Sequence, residues 1–229
     1  MSDWISFFDS DHAIYVNARH REVHAIVTGD GMLRYVERSD RVLDYGCGEA
    51  AYAERLVREI EALTLCEAAP NLREAVMRRV KHERYITMLS PEETAPLADG
   101  TFEVVILHSV SQYLSPAQLD DLLKLFRRLL VHDGKLVIGD VVQPNTPAWK
   151  DALALLQFGW RDGFFLAALR GLFRTAFSDY SRLRKDAGLS RYSETDMRKK
   201  LEAAGFSAER QPDNIGHLQT RMTFVAVPR

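Results

Sequence analysis

The stretch Arg41-Val42-Leu43-Asp44-Tyr45-Gly46-Cys47-Gly48-Glu49-Ala50 runs a short apolar strand into an acid and then into two glycines at spacing two. Behind it, Ala53, Leu56, Val57 and Ile60 recur at helical spacing, which predicts a helix over 51–60. A strand, a glycine turn and a helix together present backbone N–H groups to a nucleotide-like ligand. The glycines permit positive φ and close approach of that ligand to the backbone. Gly46-Cys47-Gly48-Glu49-Ala50-Ala51 also fits the dinucleotide pattern G-x-G-x-x-A, so the glycines alone leave the cofactor open. Asp44 adds a carboxylate at the strand's C-terminal end, which suits a cation and not a pyrophosphate. A glycine turn with no ligand is the alternative on this motif alone.

Asp44-Tyr45-Gly46-Cys47-Gly48 resembles motif I, acid-x-G-x-G, of the class I S-adenosylmethionine-dependent methyltransferases. The resemblance implies that Asp44 contacts the methionine end of the cofactor, directly or through water, with Tyr45, Gly46, Cys47 and Gly48 around it. Glu67 follows the apolar run Leu63-Thr64-Leu65-Cys66, where a carboxylate can accept hydrogen bonds from both ribose hydroxyls. It matches the family's second acidic position, with Ala68 beside it. Tyr85-Ile86-Thr87-Met88-Leu89 reads as a third strand. The family's next acid, which holds the adenine amino group, would fall on Pro91. Adenine is therefore expected against Met88 and Leu89, backbone, or Glu92.

Phe102-Glu103-Val104-Val105-Ile106-Leu107-His108 suits a central strand buried on both faces. At its C-terminal mouth, where open α/β sheets place ligands, lie His108, Ser109 and Tyr113. His108 is a candidate cofactor contact and the candidate base, a positioning role being its alternative. The N/D-P-P-Y/F signature of methyltransferases acting on exocyclic base amines is absent at this place. Ser115 and Pro116 open a helix with Leu119, Leu122, Leu123, Phe126, Leu129 and Leu130 on one face. Asp133-Gly134 reads as a turn into a fifth strand, 135–142, with Asp140 near its exit, facing either substrate or a strand-end hydrogen bond.

Before motif I, residues 1–39 read as a helical cap, broken at Gly29-Asp30-Gly31. Tyr15, Arg19 and His20 are its candidate substrate contacts, a solvated helix face being the alternative. Residues 144–192 interrupt the strand–helix alternation. They are rich in aromatics, among them Trp149, Phe158, Trp160, Phe164, Phe165, Phe177 and Tyr180, and locally basic through Arg161, Arg170, Arg182, Arg184 and Lys185. The preferred reading is a lid with Trp160, Phe164 and Phe165 on the acceptor, and the lesser one an amphipathic membrane-surface segment. A capping box at Ser193, a helix ending at Gly205 and two extended stretches close the chain. His217 in their connection touches either substrate or solvent.

The 229 residues suffice for one α/β domain with an insertion, and 46% hydrophobic content can fill an ordinary core. A net charge of −2 gives no reason to expect a polyanion partner. Two cysteines, Cys47 and Cys66, make neither a disulfide framework nor a zinc site, and no metal is expected. No basic segment precedes an apolar run near the N-terminus, so no signal peptide is expected, and no apolar run nears the ~18 residues of a membrane span, so the cytoplasm is expected. The resemblance implies an α/β, Rossmann-like, doubly wound seven-stranded sheet with its last strand antiparallel and helices on both faces. Residues 1–229 are expected to form one domain: cap 1–39, cofactor core 40–143, lid 144–192, and C-terminal helix and strands 193–229. The expected reaction is methyl transfer from S-adenosylmethionine, leaving S-adenosylhomocysteine, to an O, N, S or C nucleophile of a small molecule. A nucleic-acid or protein methyltransferase and a non-catalytic cofactor-binding subunit are the alternatives. No nucleic-acid partner is expected, and a homodimer is left open.

Overall fold

The computed structural model describes residues 3–10, 15–175 and 188–229. The readings placed on Phe177, Tyr180, Arg182, Arg184 and Lys185 lie outside them. The strands are β1 (Arg41–Tyr45), β2 (Ala62–Cys66), β3 (Ile86–Leu89), β4 (Phe102–His108), β5 (Leu130–Val141), β6 (Phe206–Arg210) and β7 (Met222–Pro228). They form one seven-stranded sheet in the order β3-β2-β1-β4-β5-β7-β6. β1 to β5 pair in parallel, while β7 runs antiparallel to both β5 and β6. The chain order reverses beside β1 and β4, so the crevice at a doubly wound sheet's switch point opens above the C-terminal ends of these two strands.

The strand alternation builds two cores. Leu43, Val105, Leu107, Leu136 and Ile138 face α6 (Pro116–Leu129) and α9 (Glu194–Ala203). Val42, Val104, Ile106 and Val137 face the other way, against Leu56 and Val57 and against Val76 of α4 (Pro70–Val80). Val104, Val105, Ile106 and Leu107 have no exposed surface, as a central parallel strand covered on both faces requires. The α6 cap is the expected one: Ser115 Oγ accepts from the Gln118 N–H at 3.3 Å, and Pro116 sits in the first turn.

Three local expectations are corrected. The helix expected over 51–60 shortens to α3 (Ala53–Leu56) and a 3-10 turn at Val57–Glu59, because the chain must turn at once into β2. The turn at Asp133-Gly134 lies inside β5, whose pairing jumps from Phe102↔Leu130 to Val104↔Lys135 as a bulge. The break at Gly29-Asp30-Gly31 lies within one continuous helix, α2 (Ala18–Leu33). There the missing side chains allow close packing. A Cβ on Gly29 would meet Tyr52 Cβ at 3.0 Å, and one on Gly31 would meet Ile215 Cγ2 at 3.1 Å.

The remaining helices are α1 (Asp3–Phe8), α5 (Pro91–Thr94), α7 (Ala148–Asp162) and α8 (Phe165–Thr175). α7 and α8 form a hairpin turned at Gly163, which takes φ 84°. Phe158, Phe164 and Ala168 pack its inner side onto Val23 of α2, in a third and smaller cluster. No helix among the described residues is long and apolar enough to cross a membrane.

Candidate active site

A cavity of about 1100 Å³ lies at the switch point, between the C-terminal ends of β1, β2, β4 and β5, α1 and α2. Its floor is the glycine turn. Gly46 has φ 77°, and a Cβ there would come within 2.5 Å of Val110, so only glycine fits. Gly48 has φ 57° and nothing within 4 Å of its would-be Cβ, which leaves its cavity side open to a ligand. Glu67, at the end of β2, ties this turn down. One carboxylate oxygen accepts from the Gly48 N–H at 2.9 Å, the other from the Ala69 N–H at 2.9 Å. Burial pushes its carboxyl up, against the opposing pull of these N–H groups.

Asp44 is buried behind the wall. Its carboxylate accepts a hydrogen bond from the Tyr52 hydroxyl, and Tyr52 is what faces the cavity. Burial pushes the Asp44 carboxyl up to about 7, although the Tyr52 bond opposes this. A desolvated carboxylate of this kind gains most from a cationic ligand. An open glycine cradle beside two buried carboxylates fits a nucleoside that carries a positive charge.

At the other end stand β4, β5 and α2. Ser109 and Asp140 both take positive φ, 58° and 61°, an uncommon conformation for residues other than glycine. The Ser109 hydroxyl donates to Asp140 Oδ2 at 2.6 Å, and the Asp140 N–H donates to Asn214 Oδ1 at 3.0 Å. Arg221 stands 3.9 Å from Asp140 and 2.7 Å from Asp151. His20, His24 and Thr28 share one face of α2 and line the cavity with Tyr15 and His217. The rings of His20, His24 and His217 are 5.9 to 6.2 Å apart. Burial holds His20 and His108 down to about 4, and His24 and His217 down to about 3. All four are neutral imidazoles at neutral pH and weak bases. His20 Nδ1 accepts from the Val16 N–H at 3.3 Å, so its proton sits on Nε2. Among the described residues no group of three or more His, Cys, Asp or Glu side chains is placed to hold a metal ion.

The structure brings most of the sequence candidates to this one cavity. Tyr45, Gly46, Cys47, Gly48, Glu67 and Ala68 line the cofactor side. His108, Ser109, Tyr113, Asp140, Tyr15, His20 and His217 line the rest. Seven candidates do not line the cavity: Asp44 stands behind Tyr52, and six others are elsewhere. Met88 packs beneath the sheet against the second core, and the Leu89 carbonyl is used by the Glu67 N–H, so Pro91 and Glu92 of α5 and Ala95 just after it take their place on the wall. Arg19 is exposed and donates to Glu22 and to the Asp162 carbonyl. Trp160 is 76% exposed on the outside of α7, with Phe165 against its edge at 5.6 Å. Phe164 is buried one layer back, stacked on His20 at 4.8 Å. The geometry adds Tyr52, His24, Thr28 and Arg221, which the sequence reading passed over, and the α1 aromatics Trp4 and Phe8, which pack on Tyr113 at 4.6 and 5.2 Å. The spacing of His20, His24 and Thr28 was a readable signal once α2 is taken as continuous.

Residues 43–138 match the family model described as a methyltransferase domain. A comparison with curated proteins gives no match. Among solved structures, the chain is similar to magnesium protoporphyrin IX methyltransferase (ChlM) of Synechocystis PCC 6803 with bound S-adenosylhomocysteine. The TM-score is 0.62 at 17% identity, over 99% of this chain and 93% of that one. It is also similar to the PH0226 protein of Pyrococcus horikoshii OT3, with TM-score 0.59 at 15% identity over 93% of both chains. The pyocyanin biosynthetic protein PhzM gives TM-score 0.60 at 13% identity, over 90% of this chain and 55% of that one. At these identities the structural likenesses establish the fold. The motif, the sheet order and the matched domain agree: the chain has the Rossmann-like fold of the class I S-adenosylmethionine-dependent methyltransferases, and its residues 43–138 match a methyltransferase domain.

Proposed function

We propose that the enzyme methylates a small-molecule acceptor held at the α2 side of the cavity, beside the cofactor. The observation that carries this is size. A cavity of about 1100 Å³ exceeds the ~300–1,000 Å³ of an ordinary single-ligand site. It has room for a nucleoside cofactor and a second molecule together. The likeness to a magnesium protoporphyrin IX methyltransferase and to a pyocyanin biosynthetic protein supports a small acceptor.

Bound S-adenosylmethionine supplies a methyl group on a sulfonium. The residues of this chain hold and orient. Gly46 and Gly48 give the cofactor its cradle, Glu67 faces the ribose, and the Asp44–Tyr52 pair sets negative charge beneath the cationic end. Tyr15, His20, His24, His108 and His217 wall the acceptor with neutral groups. Such a wall orients by shape and hydrogen bonding and excludes water, so the rate acceleration comes from alignment of the nucleophile more than from proton abstraction. The test is transfer of labelled methyl from S-adenosylmethionine into a metabolite extract, an RNA extract and a protein extract. Label is expected in low-mass products. Label confined to RNA or protein would overturn the proposal.

A further inference from the structure

Among the described residues, the outer face of the α7–α8 hairpin is apolar and exposed. On α7, Trp149 is 62% exposed, Leu153 46% and Trp160 76%. At ~100° per residue these three lie within about 40° of one another, on the side opposite the buried Phe158. On α8, Leu166 is 70% and Leu169 38% exposed, opposite the buried Ala168. The edge contact of Trp160 with Phe165 joins the two helices into one surface. Nine large apolar side chains are exposed among the described residues, and five of them are here, which is a patch and not the usual scatter.

The charge around this patch has one sign. Lys150 and Arg170 are exposed at its margins, while Arg161 is exposed but lies over the inner Phe158 ring at 5.5 Å. Lys150 and Arg170 have no acidic partner among the described residues, and Lys150 lies over the Trp149 ring at 5.9 Å. The two acids of the hairpin are engaged: Asp151 with Arg221 at 2.7 Å, and Asp162 with Arg161 at 2.9 Å.

We propose that this face seats the enzyme on a bilayer surface that bears anionic headgroups. Tryptophans and leucines on one side of a helix, with lysine and arginine at the edge, are the pattern of a segment lying in the plane of the interface. The indoles sit at headgroup depth and the long basic side chains reach up to phosphate. At 15 residues and ~1.5 Å each, α7 is about 22 Å long, too short to span a ~30 Å hydrocarbon core but suited to lie on it. A second copy docked face to face would bring the unpaired Lys150 and Arg170 of both copies into one interface of a single sign, and this argues against self-association through the same face. The inner side of the hairpin carries Phe158, stacked on His217, and Phe164, stacked on His20. The seated face is therefore one helix layer from the cavity wall.

Co-sedimentation of the full chain with phosphatidylcholine vesicles, with and without phosphatidylglycerol, tests this. Binding to the anionic vesicles is expected, with a blue shift of tryptophan emission and weakening as salt is raised. Trp160→Glu and Leu166→Glu change exposed side chains outside the cavity. Each should lower partitioning by about tenfold or more, since a buried apolar contact becomes a charge repelled by the surface. S-Adenosylhomocysteine affinity of both variants should stay at the wild-type value, which shows that they fold. Protein left in the supernatant with both vesicle types would overturn the proposal. So would a solution dimer that the same two substitutions convert to monomer, because the face would then belong to a second copy.

Discussion

Asp44 is where the chemistry of one residue can be read out directly. Its carboxyl, ordinarily near 3.8, is pushed up to about 7 by burial. Between those values the folded apo protein holds a proton that the unfolded chain has lost. Apo stability should therefore fall as pH rises from about 4 to about 7. Cofactor binding has the opposite sign, because a cationic ligand favours the ionised carboxylate. Affinity for S-adenosylmethionine should rise with pH through about 7 and then level off. Asp44→Asn keeps the shape and a partner for Tyr52 but removes the charge. It should weaken binding by roughly tenfold to a hundredfold, the worth of one charge-assisted contact of ~1.5–3 kcal/mol, and flatten the pH dependence. Calorimetry across pH on both proteins checks this, and an unchanged profile in the variant would assign the titration elsewhere. Gly46, Gly48 and Glu67 were legible because each answers to a short-range backbone requirement. Tyr52 was not, because its bond to Asp44 depends on where the helix after the turn starts, and Tyr52 is that helix's N-cap.

At the scale of elements, α2 shows why the N-terminal part misled. Gly29 and Gly31 read as a helix break, since glycine costs a helix interior about 0.5–1 kcal/mol relative to alanine. In the fold they are contact points, against Tyr52 and Ile215. The helix serves three neighbours at once: the cavity through His20, His24 and Thr28, the α7–α8 hairpin through Val23 and Val27, and the main core through Met32. Its apolar residues consequently follow no single stripe. Gly31→Ala separates the two readings. If the position were only a weak point in a helix, alanine would stabilise. Here its Cβ meets Ile215 Cγ2 at 3.1 Å and Ile215 Cα at 3.3 Å, and the backbone atom cannot swing aside. The variant should lose about 1–2 kcal/mol in a urea melt, the overpacking cost outweighing the helix gain.

Across the whole molecule, stability is divided unequally. The strands share two large cores, one on each face of the sheet, and the short continuous apolar runs that burial on both faces requires made β1, β2 and β4 readable within a residue or so. The α7–α8 hairpin is held by the small cluster of Val23, Phe158, Phe164 and Ala168, together with the Asp151–Arg221 ion pair. An aromatic-rich sequence could not say which rings face inward, because periodicity marks a stripe without naming its neighbour. So Trp160 was expected on the acceptor and is found outside, while Phe164 backs His20. The consequence is that the hairpin should open as a unit before the sheet does. Phe164→Ala removes the largest part of its anchor and should cost about 3 kcal/mol, the usual range for a buried phenylalanine. Hydrogen exchange should then speed up by about a hundredfold in α7 and α8, the rate factor for that energy. Amides of β1 and β4 should keep their protection. Because His20 loses the ring it stacks on, acceptor KM should rise while S-adenosylhomocysteine affinity stays within a few-fold. If β1 and β4 lose protection by the same factor as α7 and α8, the hairpin and the sheet unfold together, and the anchor cluster belongs to the main core.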